Sequence, residues 1–353
     1  MKTAVNQDEV RRSNDVQVLE SLMHGPLTRR ELQSITSLSW GGITNTINRL
    51  MEAGYIVEHR SINRRCGRTP ALAALTEEDN YVLGVDVNHT GLTGCVTALT
   101  GKIISSHTMH ADFSSPDALM NCIESFIFSI LRPLNGRHIM ALGISMQGEV
   151  DIHTGISLRL PQCTGWENMP IRDHLSRKLG MNVYIAHDPD CMLHAYMADT
   201  GTRSAVLMRL DNSVGMAASV EGVLIQGPGL MEAAHMILDP AGPECICGMR
   251  GCLNAYVSAA GDTGNYTVLA KPLAMTAHNL IQLFRPEKLV FSGELMEQAD
   301  LFMPLFQREF ADISCHFNRI DIQTVSDAQL AMRGAALIAA EQAVKALDIR
   351  EKT

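Results

Sequence analysis

No run of about 18 uninterrupted apolar residues occurs in this 353-residue chain, so it lacks the usual signature of a membrane-spanning helix. Residues Met1 to Glu9 show no apolar core of a secretory leader. The nine cysteines are odd in number and follow no framework spacing. A reduced, cytoplasmic compartment without membrane insertion is therefore expected, and a close cysteine cluster reads as a metal site before a disulfide. What is present is ordinary for a globular chain: 46% apolar and 19% charged residues, with length enough for two or three domains.

Charge is unevenly distributed. Residues 1–75 carry ten Lys/Arg against seven Asp/Glu, so +3, while the remainder carries 19 against 31, so −12. A basic head on an acidic body suggests that only the head meets a polyanion.

The head, from residue 13 to about 75, reads as a winged helix-turn-helix. Val16, Leu19 and Leu22 repeat at helical spacing, and Gly25-Pro26 ends that helix. Thr28-Arg-Arg-Glu31 is a capping box for a second helix. Ile43, Ile47, Leu50 and Met51 make a third amphipathic helix, closed by Gly54. Thr44, Asn45, Asn48 and Arg49 fall largely off its apolar stripe and are the candidate readers of base edges and phosphate in the major groove. Tyr55 to Arg60 resembles a strand, and Ser61 to Gly67 a hairpin wing. Arg64, Arg65 and Arg68 there, with Arg60, suit phosphates or the minor groove. A three-helix interaction module is the alternative, and the Arg-rich hairpin favours DNA. Trp40-Gly41-Gly42 stands out, because glycines weaken a helix by roughly 1 kcal/mol each relative to alanine. They either admit a phosphate close to the backbone or leave the helix loose until DNA binds.

From Tyr81 onward strands and helices alternate. Val82–Val87, Thr93–Leu99 and Lys102–His107 open one half, and Ser204–Leu210, Gly215–Val220 and Val223–Gln226 open another. Each half continues as α/β, which suggests a two-lobed body with a cleft between the lobes. Expected boundaries are 1–75 for the head, 76–200 for the first lobe and 201–353 for the second.

One short run carries the sharpest chemistry: Cys245-Ile-Cys247-Gly-Met-Arg-Gly-Cys252, with His235 ten positions ahead. Three thiols and an imidazole make the four ligands of a closed, structural tetrahedral zinc site. Gly248 and Gly251 let the backbone turn sharply enough to gather them. Buried free thiols with His235 bonded elsewhere are the alternative.

The head, Gly84-Val-Asp86-Val-Asn-His-Thr90, Gly165-Trp-Glu-Asn168, His187-Asp188-Pro-Asp190 and Glu232-Ala-Ala-His235 with the cysteine run together resemble the ROK family of repressors, open reading frames and sugar kinases. The head points to its NagC/XylR-type transcriptional repressors. The resemblance implies an actin/hexokinase-like (ribonuclease H-like) body, a sugar pocket and a zinc ion. A sugar kinase of the family has two glycine-rich phosphate loops. Here the first is Asp86-Val-Asn88-His89-Thr90, without its glycines, and the second is Asp211-Asn-Ser-Val-Gly215-Met-Ala217, with one. Like charges about 5 Å apart at an effective dielectric near 20 repel by roughly 3 kcal/mol, so Asp211 is expected to oppose a polyphosphate. No kinase activity is expected. Asp188 matches the kinase base and is recast as a ligand-binding carboxylate, a helix N-cap, or both. By the same resemblance Asn168, Glu232, His235 and Asn254 complete the pocket, with Asn254 standing where the family has a glutamate. That exchange alters the pocket's ligand or leaves it without one.

These features describe a sugar-responsive transcriptional regulator, expected to act as a repressor, that binds operator DNA as a homodimer or larger assembly. The rivals are an active sugar kinase with a DNA-binding head and a regulator controlled by docking to a transporter subunit.

Overall fold

The computed structural model describes residues 7–60, 71–134, 136–211, 213–226, 233–314, 320–325 and 329–347. Backbone contacts divide the chain into two units. One holds Met1–Gly148, Thr154–Ala186 and Ala335–Thr353, the other Glu149–His153 and His187–Gly334. The architecture is mixed α/β.

The first unit begins with α1 (Gln7–Met23), β1 (Leu27–Thr28), α2 (Arg29–Thr36), α3 (Trp40–Glu52), β2 (Ile56–Arg60) and β3 (Ala71–Leu75). Val18, Leu19 and Leu22 of α1, Leu32 of α2 and Ile43, Ile47 and Leu50 of α3 are buried where the three helices pack, while Val16, read from sequence with Leu19 and Leu22, is half-buried and Val18 takes the inner position. Met51, placed on that stripe from sequence, is 38% exposed. The capping box forms: Thr28 N–H donates to Glu31 Oε2 at 2.7 Å and Glu31 N–H to Thr28 Oγ1 at 3.2 Å. β3 pairs with both β1 and β2, antiparallel in each case. The segment joining β2 to β3, with Arg64, Arg65 and Arg68, lies outside the described residues.

The rest of this unit is built on a five-stranded sheet in the order β11-β7-β4-β5-β6. Its strands are β4 (Asn80–Asn88), β5 (Gly91–Ala98), β6 (Ile103–Met109), β7 (His138–Met146) and, after the intervening elements, β11 (Asn182–His187). β4, β5 and β6 run antiparallel, and β7 lies parallel to β4. β8 (Glu149–Asp151), β9 (Ile156–Arg159) and β10 (Glu167–Met169) follow β7, with β9 and β10 paired antiparallel. Two helices, α4 (Pro116–Leu131) and α5 (Ile171–Leu179), belong here too.

Glycines set how closely helices approach the sheet. A Cβ on Gly94 of β5 would lie 2.9 Å from Phe126 and Ile130 of α4. One on Gly143 of β7 would lie 1.9 Å from the carbonyl oxygen of Ala335, in α10 (Leu330–Ala346). Gly143 pairs with Gly84 and Gly94 with Val85, successive positions of β4. Successive strand residues face opposite sides, so α4 and α10 cover opposite faces.

The second unit repeats the pattern. α6 (Asp188–Thr200) precedes β12 (Ala205–Leu210), β13 (Val214–Val220) and β14 (Val223–Leu224), then come α7 (Leu253–Thr263), α8 (Ala270–Phe284), β15 (Lys288–Ser292), α9 (Ala299–Ile313) and β16 (Asp321–Thr324). The sheet order is β14-β13-β12-β15-β16. Again the first three strands are antiparallel and the next pairs parallel. Its core gathers Val206, Met208, Leu253, Val257, Leu273, Phe291, Phe302 and Phe306.

The division between units falls at Ala186/His187, ahead of the boundary near 200 read from sequence. α6 is the reason. Its Pro189 packs against Gly215 of β13, where a Cβ would lie 2.8 Å from the proline ring. The second division falls inside α10, which returns Ala335 onward to the first unit.

Candidate functional site

The head presents α3. Asn45 and Asn48 are exposed, Thr44 is half-buried, and the side chain of Ser39 caps the helix by accepting from Gly42 N–H at 3.1 Å. Arg49 behaves differently from the sequence expectation. Its guanidinium grips the carboxylate of buried Asp15 on α1 through Nη2, and its Nε donates to the two oxygens at 3.1 and 3.2 Å. It ties α3 to α1, and its guanidinium is engaged there and not left free for a phosphate. Arg30, at the start of α2, is exposed on the head and was not singled out from sequence.

In the first unit, the segment Asp86–Thr90, read from sequence as the counterpart of a phosphate loop, is held by side-chain hydrogen bonds. Asp86 accepts from Ser145 Oγ at 2.6 Å and from Asn88 Nδ2 at 2.6 Å. Asn88 Oδ1 accepts from Thr90 N–H at 2.9 Å and from its hydroxyl at 2.5 Å. His89 N–H donates to Gln147 Oε1 at 3.0 Å, and Gln162 donates to the same oxygen at 2.6 Å. A phosphate cradle needs free backbone N–H groups. Here the N–H groups of His89 and Thr90 are committed to side chains. Asn168 of β10, also in this unit, is exposed with φ +51°, and follows a turn anchored by buried Trp166, whose Nε1–H donates to Ser157 at 2.9 Å.

In the second unit, α6 starts at Asp188 with His187 as N-cap and no side-chain capping bond. Asp188 therefore does not act as the N-cap considered from sequence. Its buried carboxylate is held by Arg209 Nη1 and lies 3.3 Å from His187 Nε2. The same guanidinium reaches Asp211 Oδ2 through Nε at 2.7 Å, and Asp211 Oδ1 accepts from Glu294 N–H at 2.8 Å. The carboxylate expected to repel a polyphosphate is thus already paired, and the bare repulsion argued from sequence does not apply. Gly215 is the single glycine left in this segment, and its role is to admit Pro189. Nearby on α6, burial pushes the Asp190 carboxyl up, and Gln226 donates to it at 3.2 Å.

The cysteine run folds into a knuckle. Gly248 and Gly251 take φ of +86° and +69°, as the sharp turns require. Cys245 N–H donates to Met249 O at 2.8 Å, Gly251 N–H to Pro243 O at 2.7 Å, and Leu238 N–H to Gly251 O at 2.9 Å. At Gly251 a Cβ would fall 1.7 Å from the carbonyl oxygen of Asp239. The ligand atoms of His235, Cys245, Cys247 and Cys252 all lie within 4.8 Å of one another. His235 Nδ1 is 3.5 Å from Cys245 Sγ, and Cys247 Sγ is 3.6 Å from Cys252 Sγ. Zinc–ligand bonds of about 2.3 Å to sulfur and 2.0–2.1 Å to nitrogen give tetrahedral edges of roughly 3.6–3.8 Å. The donor set fits such an ion. Burial pushes the Cys252 thiol up to about 12, whereas a hydrogen bond from the Met249 backbone lowers that of exposed Cys247. A bound cation reverses the first shift, since a coordinating thiol gives up its proton.

Asn254 sits two residues past Cys252, in the first turn of α7. It is 8% exposed, and its Oδ1 is buried with no hydrogen-bond partner. Glu232 lies outside the described residues. Sequence reasoning missed Arg209 and Asp15, the cations' and carboxylates' true partners. The Arg49–Asp15 and Arg209–Asp188 contacts join separate elements and leave no local spacing signal, whereas Arg209 and Asp211 are only two residues apart. No helix among the described residues is long and apolar enough to cross a membrane.

A sequence profile described as the ROK family matches residues 82–266. The xylose repressor of Bacillus spizizenii is 25% identical over 248 residues, 68% of this chain and 64% of that protein, so the match spans less than two thirds of the repressor's length. The DNA-binding transcriptional repressor Mlc of Escherichia coli is 23% identical over 89% of each chain. Among solved structures, a ROK family transcriptional regulator described as a homolog of the E. coli Mlc protein superposes with a TM-score of 0.77 at 19% identity. It covers 97% of this chain and 98% of its own.

Proposed function

The chain belongs to the ROK family, and on that premise we propose that it is a sugar-responsive, DNA-binding transcriptional regulator, a repressor without catalytic activity. The observation that carries this reading is the head: a helix-turn-helix whose third helix turns Asn45 and Asn48 to solvent above a packed three-helix core. The relatives named as repressors support it. So does the first phosphate loop, whose N–H groups at 89 and 90 already have side-chain acceptors.

The effector is a small carbohydrate. Asp188, His235 and Asn254 of the second unit are the residues assigned to it. A buried carbonyl oxygen without a donor costs about 1–3 kcal/mol, and a sugar hydroxyl supplies that donor to Asn254. Zinc on His235, Cys245, Cys247 and Cys252 is structural, and it holds His235 and Asn254 in fixed register. The regulator works in the cytoplasm as a homodimer on a two-fold operator.

The test uses full-length protein and a randomised duplex pool, with anisotropy at about 50 and 200 mM salt. Affinity should fall at least tenfold over that range. A panel of neutral and amino sugars is then scored for release of DNA. Asn254→Ala should blunt the response to the active sugar. Sugar-dependent ATP hydrolysis that vanishes in Asp188→Asn would instead favour the kinase reading. Release by a transporter subunit, with no sugar effective, would favour control by docking.

A further inference from the structure

Trp40 is the more exposed of two large apolar side chains that α3 turns to solvent, the other being Met51 at 38%. Trp40 is the first residue of that helix and is 56% exposed. At about 100° per residue, Trp40, Thr44, Asn48, Gly41 and Asn45 fall in one arc of about 140°. The buried residues Ile43, Thr46, Ile47 and Leu50 occupy the arc from about 240° to 340° counted from Trp40, so Trp40 stands at the edge of the exposed arc nearest the core. Gly41 thus lies inside the exposed arc, between the indole and Asn45.

The fold does not ask for that glycine. A Cβ on Gly41 would meet nothing within 4 Å, and one on Gly42 would meet only the Ser39 hydroxyl at 3.3 Å and Leu38 Cβ at 3.7 Å. Neither glycine has a left-handed φ. A residue that weakens a helix and serves no packing purpose marks a place where something else must come close. Thr44, expected to read bases, donates its hydroxyl to the carbonyl of Trp40 at 2.9 Å, which leaves Trp40 and the two asparagines as the large side chains in roughly the first two and a half turns of the arc, with Met51 and Glu52 in the same arc at the far end of the helix.

We propose that Trp40 is a specificity-determining residue that reads thymine, its indole lying against C5-methyl groups in the major groove while Gly41 admits the backbone to the duplex. This rests on the DNA-binding reading above. Thymine alone carries a methyl group on the major-groove edge, so an apolar surface there discriminates it from the other three bases. An exposed indole otherwise loses the benefit of burying its large apolar area.

The test begins by enriching sites from a randomised duplex pool with the full chain at low salt. Each thymine of the enriched site is then replaced in turn by uracil, which pairs identically and lacks only the methyl. At least one replacement should weaken binding about fourfold, equal to about 0.8 kcal/mol at 1.4 kcal/mol per decade. Trp40→Ala should erase that sensitivity, and Trp40→Phe should keep part of it. Emission gives a second readout. The chain has two tryptophans, and Trp166 is 1% exposed, so acrylamide quenching reports Trp40. Saturating duplex should protect it. Indifference of the parent to every uracil, unchanged sensitivity in Trp40→Ala, or unprotected emission in a tight complex each overturns the proposal while leaving DNA binding intact. Failure to retain any duplex at low salt removes the DNA-binding reading itself, and the proposal with it.

Discussion

Arg209 offers a quantitative test of how the second unit is held together. Its side chain is 13% exposed, and the two carboxylates it bridges, Asp188 and Asp211, are 5% and 11% exposed. Arg209→Met keeps most of the volume and removes the cation. Two buried carboxylates then face each other without a counter-ion. Removing one partner of a buried pair costs about 3–5 kcal/mol. Asp211 keeps the Glu294 N–H and Asp188 keeps its contact with His187, which places the loss near the lower end, about 3 kcal/mol. For a unit of this size each kcal/mol moves the melting point by about 2–4 °C, so the drop should be about 6–12 °C. Scanning calorimetry and urea titration of full-length protein measure it. The variant Asp188→Asn/Arg209→Met/Asp211→Asn removes all three charges and should recover to within about 1 kcal/mol of the parent, because desolvation and pairing vanish together. A loss below about 1 kcal/mol in the single variant, or a triple variant as unstable as the single one, would refute the ion triad as the organiser of this region.

Gly251→Ala should abolish the knuckle, since its Cβ would fall 1.7 Å from a backbone oxygen at a φ of +69°; metal analysis should find the parent with about one zinc per chain and the variant with little. Chelation at neutral pH should release protons on reloading, because the Cys252 thiol, pushed up to about 12 by burial, must ionise to bind; calorimetry in buffers of different ionisation enthalpy counts them. The Glu31 carboxyl is lowered by its Thr28 hydrogen bonds, so the capping box contributes fully above the ordinary carboxylate pKa and is lost as pH falls through the lowered value; the difference in head stability between parent and Glu31→Ala should shrink on acidification. Asp15→Ala should loosen α3 from α1 and weaken binding to all duplexes alike, whereas Asn48→Ala should change which sequences are preferred; equal behaviour of the two would contradict the division of roles.

Much of this was legible in the chain. The apolar runs of β4, β5, β7 and β12 fixed both sheets, because strands buried on both faces leave long apolar stretches. Thr28-x-x-Glu31 and the knuckle glycines encode local geometry, so their spacing alone sufficed. Partnerships across elements were not legible. Arg49 looked like a phosphate contact because its helical position faces away from the apolar stripe, and only the crossing of α1 and α3 brings Asp15 beneath it. Asp211 looked like an uncompensated charge because it was read as part of a loop, although Arg209 two residues earlier, at the end of β12, has the i,i+2 spacing that puts side chains on one side. Closure of the loop at 88–90 depends on Gln147, some 58 positions downstream, which no local pattern announces.

The path of α10 has a consequence for how the protein is made. Gly143 is shaped to receive Ala335, a residue the ribosome adds nearly two hundred positions later, after the whole of the second unit. At about 5–20 residues per second, the face of the first sheet beneath α10 waits bare for roughly 10–40 s. The head is tied into the same late event, since Arg12 of α1 donates to the carbonyl of Ala346 at 3.0 Å. A chain interrupted anywhere before α10 therefore carries its three-helix head on an unfinished support, and only a copy translated through α10 has its first unit closed.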